Sequence, residues 1–364
     1  LSTFHLTRGE FQTARELGEQ LLSLGQQQQD SALCVEAYSV LGTTVFHLGE
    51  FAHARAYLEQ GIALYDPHQH RFLAFRYGQD PGVFCLCYLV RMLWFLGHPE
   101  QARQRSQEAI ALAQELSHPF SLALAYTFAA LVHQLRREER ETQEWAEKAI
   151  AVCLEHGFGF YSAMGAILRG GALVAQGEQT EGLEQIRHGL DAWRATGSEL
   201  FRPHLLALLA ETHGLRGKAE EGLAVLAEAL DATQKSGTRF YTAELYRLKG
   251  ELTLQQENQK SKVKEQKPVL SLVEGSKIPN TQHPTPSTQA EAEAYFLKAI
   301  EIARQQDAKS WELRATTSLA RLWQSQGKRH EAHTMLSVIY LWFTEGFDTK
   351  DLQDARALIE ELDH

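Results

Sequence analysis

Cysteine, proline and long hydrophobic runs are scarce in this chain of 364 residues, and it carries no excess of positive charge. Four cysteines in so long a chain exclude a disulfide-stabilised scaffold. Lys+Arg 36 against Asp+Glu 46 gives a net charge of −10, which disfavours nucleic-acid binding through bulk positive charge. The longest apolar run, residues 83–90, is far shorter than the ~20 residues of a membrane-spanning helix. Without a signal peptide, we expect a cytoplasmic protein.

Sequence motifs of catalytic and metal sites are also missing. The chain holds no GxxxxGK[ST] phosphate-binding loop, no GxSxG and no HExxH. His330 and His333 can share one helix face, but no third ligand accompanies them. Cys85 and Cys87 lie in an apolar segment, where packing is their expected role. We therefore predict a chain that is not itself an enzyme, with no cofactor and no metal site.

A repeat of about 40 residues organises the chain. Each unit contains two segments with apolar residues at helical spacing, and glycines at the segment ends can stop the helices. The anchor glycines of successive units are Gly9, Gly49, Gly97, Gly177, Gly217 and Gly327, with Arg137 in the glycine position of one unit. The repeat predicts an all-α fold: a right-handed α-solenoid of about eight helical hairpins that spans residues 1–364 as a single superhelical domain.

Small residues at hairpin positions 8, 20 and 27, flanked by large apolar residues, resemble the tetratricopeptide repeat. In the second unit these small residues are Gly42, Ala54 and Gly61, and the flanking residues are Tyr38 and Leu58. Small side chains at these positions let paired helices approach to about 8–10 Å. The period of 40 departs from the family's usual 34 residues.

A more specific resemblance rests on residues 79–102, 239–252 and 308–362. These segments are similar to the C-terminal repeat region of bacterial proteins that join a class III adenylate/guanylate cyclase domain to a predicted signal-transduction ATPase. The resemblance implies a non-catalytic interaction or sensor module of a larger signalling protein. Its concave groove would bind a peptide, a protein partner or the parent's own ATPase or cyclase domain. Because the chain starts at Leu1 rather than Met, we expect it to be a piece of a longer protein.

Two alternatives remain open at this stage. The first is a small-molecule-binding or enzymatic pocket within the groove, near Cys87, Arg91 and Trp94. The second is a helical-repeat nucleic-acid binder, against which the net charge of −10 counts.

Three segments interrupt the repeat. Residues 66–82 contain eight residues more than the 40-residue period requires. We interpret them as a longer loop between repeats or as a segment that covers one end of the groove. Residues 256–289, rich in proline and lysine, predict a disordered insertion within the seventh repeat. Residues 348–364 predict a C-terminal capping helix that covers the last hydrophobic face.

The first helix of each hairpin lines the concave face in the family that the chain resembles. The residues placed there are Glu36, Thr43, Arg91, Trp94, His204, Glu211, Glu244, Arg247, Glu251, Arg314 and Arg321. Arg247, Arg314 and Arg321 form a positive stretch that could clamp a carboxylate-bearing peptide. Alternatively, Arg247 pairs internally with Glu244 at i, i+3 and with Glu251 at i, i+4.

Overall fold

The computed structural model describes residues 1–265 and 288–363, and all regular secondary structure in these two ranges is helical. The helices are α1 (Ser2–Thr7), α2 (Phe11–Gln28), α3 (Ser31–His47), α4 (Phe51–Leu64), α5 (Pro67–His70), α6 (Phe72–Tyr77), α7 (Pro81–Phe95), α8 (Pro99–Leu116), α9 (Pro119–Arg136), α10 (Glu139–His156), α11 (Gly159–Ala175), α12 (Gln179–Ala195), α13 (Arg202–Leu215), α14 (Ala219–Ser236), α15 (Thr242–Glu265), α16 (Thr288–Gln305), α17 (Lys309–Ser325), α18 (Arg329–Tyr340) and α19 (Lys350–Asp363). The predicted all-α repeat fold is confirmed.

Sixteen of these helices form eight hairpins in two layers. The pairs are α1/α2, α3/α4, α7/α8, α9/α10, α11/α12, α13/α14, α15/α16 and α17/α18. From α3 onward, the first helix of each hairpin contacts the first helix of the next, so these helices form an inner layer. The second helices form the outer layer, and each contacts the first helix of the following hairpin. Stacking of this kind buries a continuous core.

Small residues at the helix crossings do what the repeat pattern predicts. A Cβ atom on Gly42 would lie 2.7 Å from the Leu58 side chain, and one on Gly250 would lie 2.5 Å from the Phe296 ring. Both distances are far below van der Waals contact, so a larger residue would force the paired helices apart. Gly49, at the turn between α3 and α4, has φ +81°, a conformation that disfavours other residues.

The interruptions of the repeat differ in part from the predictions. Residues 66–82 hold the short helices α5 and α6 rather than a simple loop. The predicted insertion at 256–289 begins too early, because α15 continues to Glu265 through Gln, Glu and Lys, which favour helix. Residues 266–287 lie outside the described part of the chain. The final helix, α19, packs against α17 and α18.

The inner layer closes on itself, because hairpins that are distant in sequence touch across the superhelix axis. Helix α7 contacts α17. The Arg239 amide donates a hydrogen bond to the His47 carbonyl oxygen at 2.7 Å, and the Ser310 hydroxyl donates one to the Trp94 carbonyl oxygen at 2.5 Å. The second and third hairpins therefore lie against the start of the seventh and eighth, where an open solenoid would have a groove.

Candidate binding cavity

An aromatic cluster fills the superhelix axis where the two halves of the chain meet. Phe46, Phe95, Phe201 and Phe240 surround the side chain of Arg91, with ring centroids 4.6–5.7 Å from its guanidinium carbon. Arg91 is 0% exposed, and none of its three guanidinium nitrogens has a hydrogen-bond partner among the described residues. Burial lowers the pKa of Arg91 to about 10, so the side chain stays charged at neutral pH.

This closure corrects the predicted position of five groove residues. Glu36, Thr43, Arg91, Trp94 and His204 are all buried and line no open groove. For Arg91, Trp94 and His204 the physical reason is that the inner faces of the first and second halves of the chain pack against each other, and that contact excludes water.

Burial also disfavours the charged forms of Glu36 and His204. Burial raises the pKa of Glu36 to about 7, and one of its carboxyl oxygens has no hydrogen-bond partner within residues 1–265 and 288–363. Burial also lowers the pKa of His204 well below its usual value. The His204 ring stacks on Tyr241 at 4.4 Å, and its Nε2 lies 3.2 Å from the side-chain oxygen of Gln134.

The pocket expected near Cys87, Arg91 and Trp94 is filled by protein. Cys87 is 1% exposed, and burial raises the pKa of its thiol, which keeps it in the unreactive protonated form. The Trp94 ring meets Trp311 edge to face at 4.8 Å. The described residues therefore place no accessible nucleophile here.

A cavity of about 510 Å³ lies between the inner faces of α9, α11, α13, α15 and α17, with α19 forming one wall. Five of the predicted groove residues line it. They are Glu211, Glu244, Arg247, Arg314 and Arg321. Glu251 is next to it, 3.5 Å from Arg247. The volume falls within the range of ~300–1,000 Å³ that is usual for ligand pockets. We call this space the central cavity.

Arg247 forms the predicted internal ion pairs. Its guanidinium donates two hydrogen bonds to the Glu244 carboxylate, both 2.8 Å long, and lies 3.5 Å from Glu251. Burial by itself would raise the pKa of Glu244, but the charge and hydrogen bonds of Arg247 outweigh it and hold the pKa below its usual value. The internal pairing, one of the two alternatives open from the sequence, is confirmed for Arg247.

The other arginines of the central cavity also have carboxylate partners. Arg314 donates from Nε to Asp351 at 2.7 Å and has a nitrogen 3.6 Å from Glu244. Arg137 lies 2.9 Å from Asp354 and 3.4 Å from Asp351. Arg321 is half exposed and lies 3.9 Å from Asp354. All four guanidinium groups in the lining are thus paired with acids of the chain itself.

Negative charge is left over in the lining. Glu138, Glu139, Glu211, Glu244, Asp351 and Asp354 supply six carboxylates against four arginines. Two cations outside the lining also contribute, because Arg136 pairs with Glu138 and Lys350 pairs with Asp354. Within the described residues, Glu211 makes neither a hydrogen bond nor an ion pair. Its side chain is open to the cavity, yet the surrounding protein displaces enough water that burial raises its pKa. This charge balance argues against the prediction that the arginines clamp a carboxylate-bearing peptide, because carboxylates of the chain already pair with them.

The segment before α19 joins the two halves of the chain. The Glu345 carboxylate accepts hydrogen bonds from the backbone amides of Glu100 at 3.0 Å and Gln101 at 3.1 Å, in the first turn of α8. The buried Arg136 donates to Asp348 at 3.1 Å. We call residues 345–354 the C-terminal latch, because its contacts hold α19 over the central cavity.

Sequence reasoning missed Arg137, Asp351 and Asp354 as residues of the central cavity. One signal was present, because Arg137 occupies the glycine position of its repeat. It adopts the left-handed conformation with φ 61° that glycine has elsewhere in the chain. An arginine in so unfavourable a conformation suggests that its side chain has a role. Nothing comparable in the repeat pattern marks Asp351 or Asp354, which follow the last hairpin.

Comparisons with known proteins agree with the hairpin architecture. Sequence models of the tetratricopeptide repeat match residues 34–65, 83–108 and 203–228. Together with the eight hairpins, these matches identify the chain as a tetratricopeptide-repeat solenoid.

The chain also resembles individual proteins. It is 21% identical over 243 residues to an uncharacterised protein of Rhizobium meliloti (strain 1021), covering 66% of this chain and 24% of that protein. It therefore spans about a quarter of the length of this curated relative. Similar solved structures include the APC/C hetero-tetramer Cut9-Hcn1 (TM-score 0.55, 10% identity, 99% of this chain and 54% of that one). Another is NprR in complex with its cognate peptide NprX (TM-score 0.51, 13% identity, 87% and 81%).

Two features are absent from the described part of the chain. No described helix is both long and apolar enough to cross a membrane. Within residues 1–265 and 288–363, no group of three or more His, Cys, Asp or Glu side chains is arranged to hold a metal ion.

Proposed function

We propose that the chain is a non-catalytic binding module whose central cavity receives a peptide segment. The observation that carries the proposal is the cavity itself, about 510 Å³ in volume and lined by inner-layer helices and α19. Ion-paired side chains fix its charged walls. Such preorganised walls lower the entropic cost of binding. The similar fold of NprR, a structure solved with a peptide, supports this choice of ligand.

The biological setting that we propose follows the sequence resemblance. Similarity to the repeat region of bacterial cyclase–ATPase proteins favours a cytoplasmic signalling role. The segment that binds would then come from a separate partner or from an ATPase or cyclase domain of a longer parent chain. Latch contacts between the two halves suggest how binding could act at a distance, because a ligand that prefers one curvature shifts the population toward it.

A blocked-cavity variant tests the proposal. Gly171 lines the central cavity on α11, and a Cβ atom there would have no described neighbour within 4 Å. Gly171→Phe therefore adds a large side chain to the cavity at a position that has room for its Cβ atom. Gly159→Phe is the matched control, because Gly159 lies on the same helix, outside the cavity, with equal room for a Cβ atom. Binding of fluorescent hexapeptide pools is measured by anisotropy. We expect Gly171→Phe to weaken binding about tenfold or more and Gly159→Phe to leave it unchanged.

Two results would contradict the proposal. The pools fail to bind the unaltered chain, or Gly171→Phe binds them as well as the unaltered chain does. A small-molecule ligand is the second candidate, because the cavity volume also suits compounds of drug size. A thermal-shift panel of metabolite-sized compounds separates the two: a shift with a compound, in the absence of peptide binding, favours the second candidate. The surplus of carboxylates in the lining counts against nucleic acid.

A further inference from the structure

The charges of the central cavity indicate what kind of group it binds. Each arginine of the lining has a carboxylate of the chain within 4 Å. An anionic ligand would therefore have to displace an existing acid from its arginine. Of the six carboxylates, Glu139 and Glu211 have no cationic side chain within 4 Å among the described residues. Arg247, Arg314 and Arg137 attract Glu211 only from farther away.

Glu211 is the better placed of these two carboxylates. It lies inside α13, where each backbone amide already donates a hydrogen bond to a carbonyl oxygen of the preceding turn. Its side chain opens into the cavity. Glu139, by contrast, is in the first turn of α10, where free backbone amides already stabilise a negative charge. A carboxylate that is partly desolvated and unpaired gains more from an incoming cation.

We infer that the ligand of the central cavity presents a cationic nitrogen, an ammonium or a guanidinium group, to the carboxylate of Glu211. This inference rests on the proposed function and adds the chemical class of the ligand. Such a contact is a charge-assisted hydrogen bond, about twice as strong as a neutral one. The raised pKa of free Glu211 falls when the cation binds, because an opposite charge favours the ionised form. The nitrogen could come from a lysine or arginine side chain of a peptide or from a free polyamine.

The experiment compares peptide pools of different charge on the full chain. The pools are N-acetylated, C-amidated hexapeptides, randomised except for one fixed residue, which is Lys, Arg, Ala or Glu. Spermidine is tested in parallel. The variants are Glu211→Gln, which removes the charge at nearly constant shape, and Glu211→Asp, which keeps it. Glu184→Gln is the matched control, because Glu184 is exposed on α12, lies outside the cavity and has no ion pair with any described residue. Circular dichroism confirms that each variant is folded.

We expect the Lys and Arg pools to bind about tenfold more tightly than the Ala pool, and the Glu pool to bind most weakly. Glu211→Gln should abolish this preference, whereas Glu211→Asp and Glu184→Gln should keep it. If spermidine binds as tightly as the Lys pool, a free polyamine is the source of the nitrogen. If spermidine does not bind, a peptide is the source.

Failure of the inference is distinguishable from failure of the proposed function. If all pools bind equally and Glu211→Gln has no effect, the cationic contact is wrong while peptide binding stands. If the Glu pool binds best, the sign of the charge is wrong. If neither the pools nor spermidine bind, both the inference and the proposed function are wrong.

Discussion

Arg91→Met is expected to stabilise the chain, although it alters a side chain at the centre of the fold. Arg91 is 0% exposed, and in the part of the chain that the structure describes its guanidinium nitrogens have no hydrogen-bond partner. Four phenylalanine rings provide its surroundings, at 4.6–5.7 Å. A buried charge without a counter-ion costs several kcal/mol of solvation, and aromatic faces offset only part of that cost.

The magnitude follows from the pKa of Arg91. Burial lowers this pKa to about 10, and each pH unit of lowering corresponds to about 1.4 kcal/mol, so the buried charge costs roughly 3 kcal/mol. Methionine removes this cost and keeps favourable sulfur–aromatic contacts. It also gives up the cation–π attraction, about 0.5–2 kcal/mol, and fills less volume than arginine. We expect a net gain in unfolding free energy of about 1–2 kcal/mol.

Arg136 provides the matched control, because it is equally buried but paired. It donates hydrogen bonds to Glu138 at 2.8 Å, to the Pro99 carbonyl oxygen at 2.9 Å and to Asp348 at 3.1 Å. Arg136→Met leaves these acceptors without their donor and should cost about 2 kcal/mol. Urea unfolding of both variants, followed by circular dichroism, measures the difference. If Arg91→Met destabilises the chain as much as Arg136→Met does, then Arg91 has a partner in solution and the reasoning fails.

Three further predictions concern pH, helix packing and the C-terminal latch. Burial lowers the pKa of His47 and His204. Below about pH 6.5 the unfolded chain therefore binds protons that the folded chain does not, and the free energy of unfolding decreases as the pH falls. His47→Phe should reduce this decrease, measured by urea unfolding between about pH 7.5 and about pH 5.5. Gly170→Ala should lower the free energy of unfolding by about 1–3 kcal/mol in the same assay, because its Cβ atom would lie 2.6 Å from a carbonyl oxygen of α12. The neighbouring Gly171→Ala, whose Cβ atom has room, should raise it by up to about 1 kcal/mol. Glu345→Gln weakens the hydrogen bonds by which the C-terminal latch holds the first turn of α8. Because the latch also holds α19 in place, hydrogen–deuterium exchange in α19 should become faster. An unchanged exchange rate would contradict the role of the latch.

The hairpins could be predicted from the sequence because their determinants are local. Gly42 and Leu58 are sixteen positions apart along the chain, and the fixed length of the repeat brings them to the same helix crossing. The ion pairs of Arg247 were predictable for a similar reason, since residues three and four apart share one helix face.

The central cavity could not be predicted in the same way, because its walls come from distant parts of the chain. Arg314 and Asp351 belong to α17 and α19, and Arg137 meets Asp354 across more than two hundred residues. Which inner faces meet depends on the small rotation between successive hairpins, summed over several of them. No pairwise pattern in the sequence records that sum, so the arginines could be placed on the inner layer but their partners could not.

Side-chain size along the inner layer explains why the superhelix closes at one place and stays open at another. Trp94 is predicted to lie on the concave face, and Phe46 lies on the inner-layer helix α3. Large aromatic residues exposed on this layer would form an unfavourable apolar patch. The second half of the chain covers them. On α11, the residues that face the axis include Gly171, Ala172 and Ala175, which are too small to span the gap, so a cavity remains. The same inner layer therefore supplies both the contact that holds the two halves together and the space that we propose as the binding site.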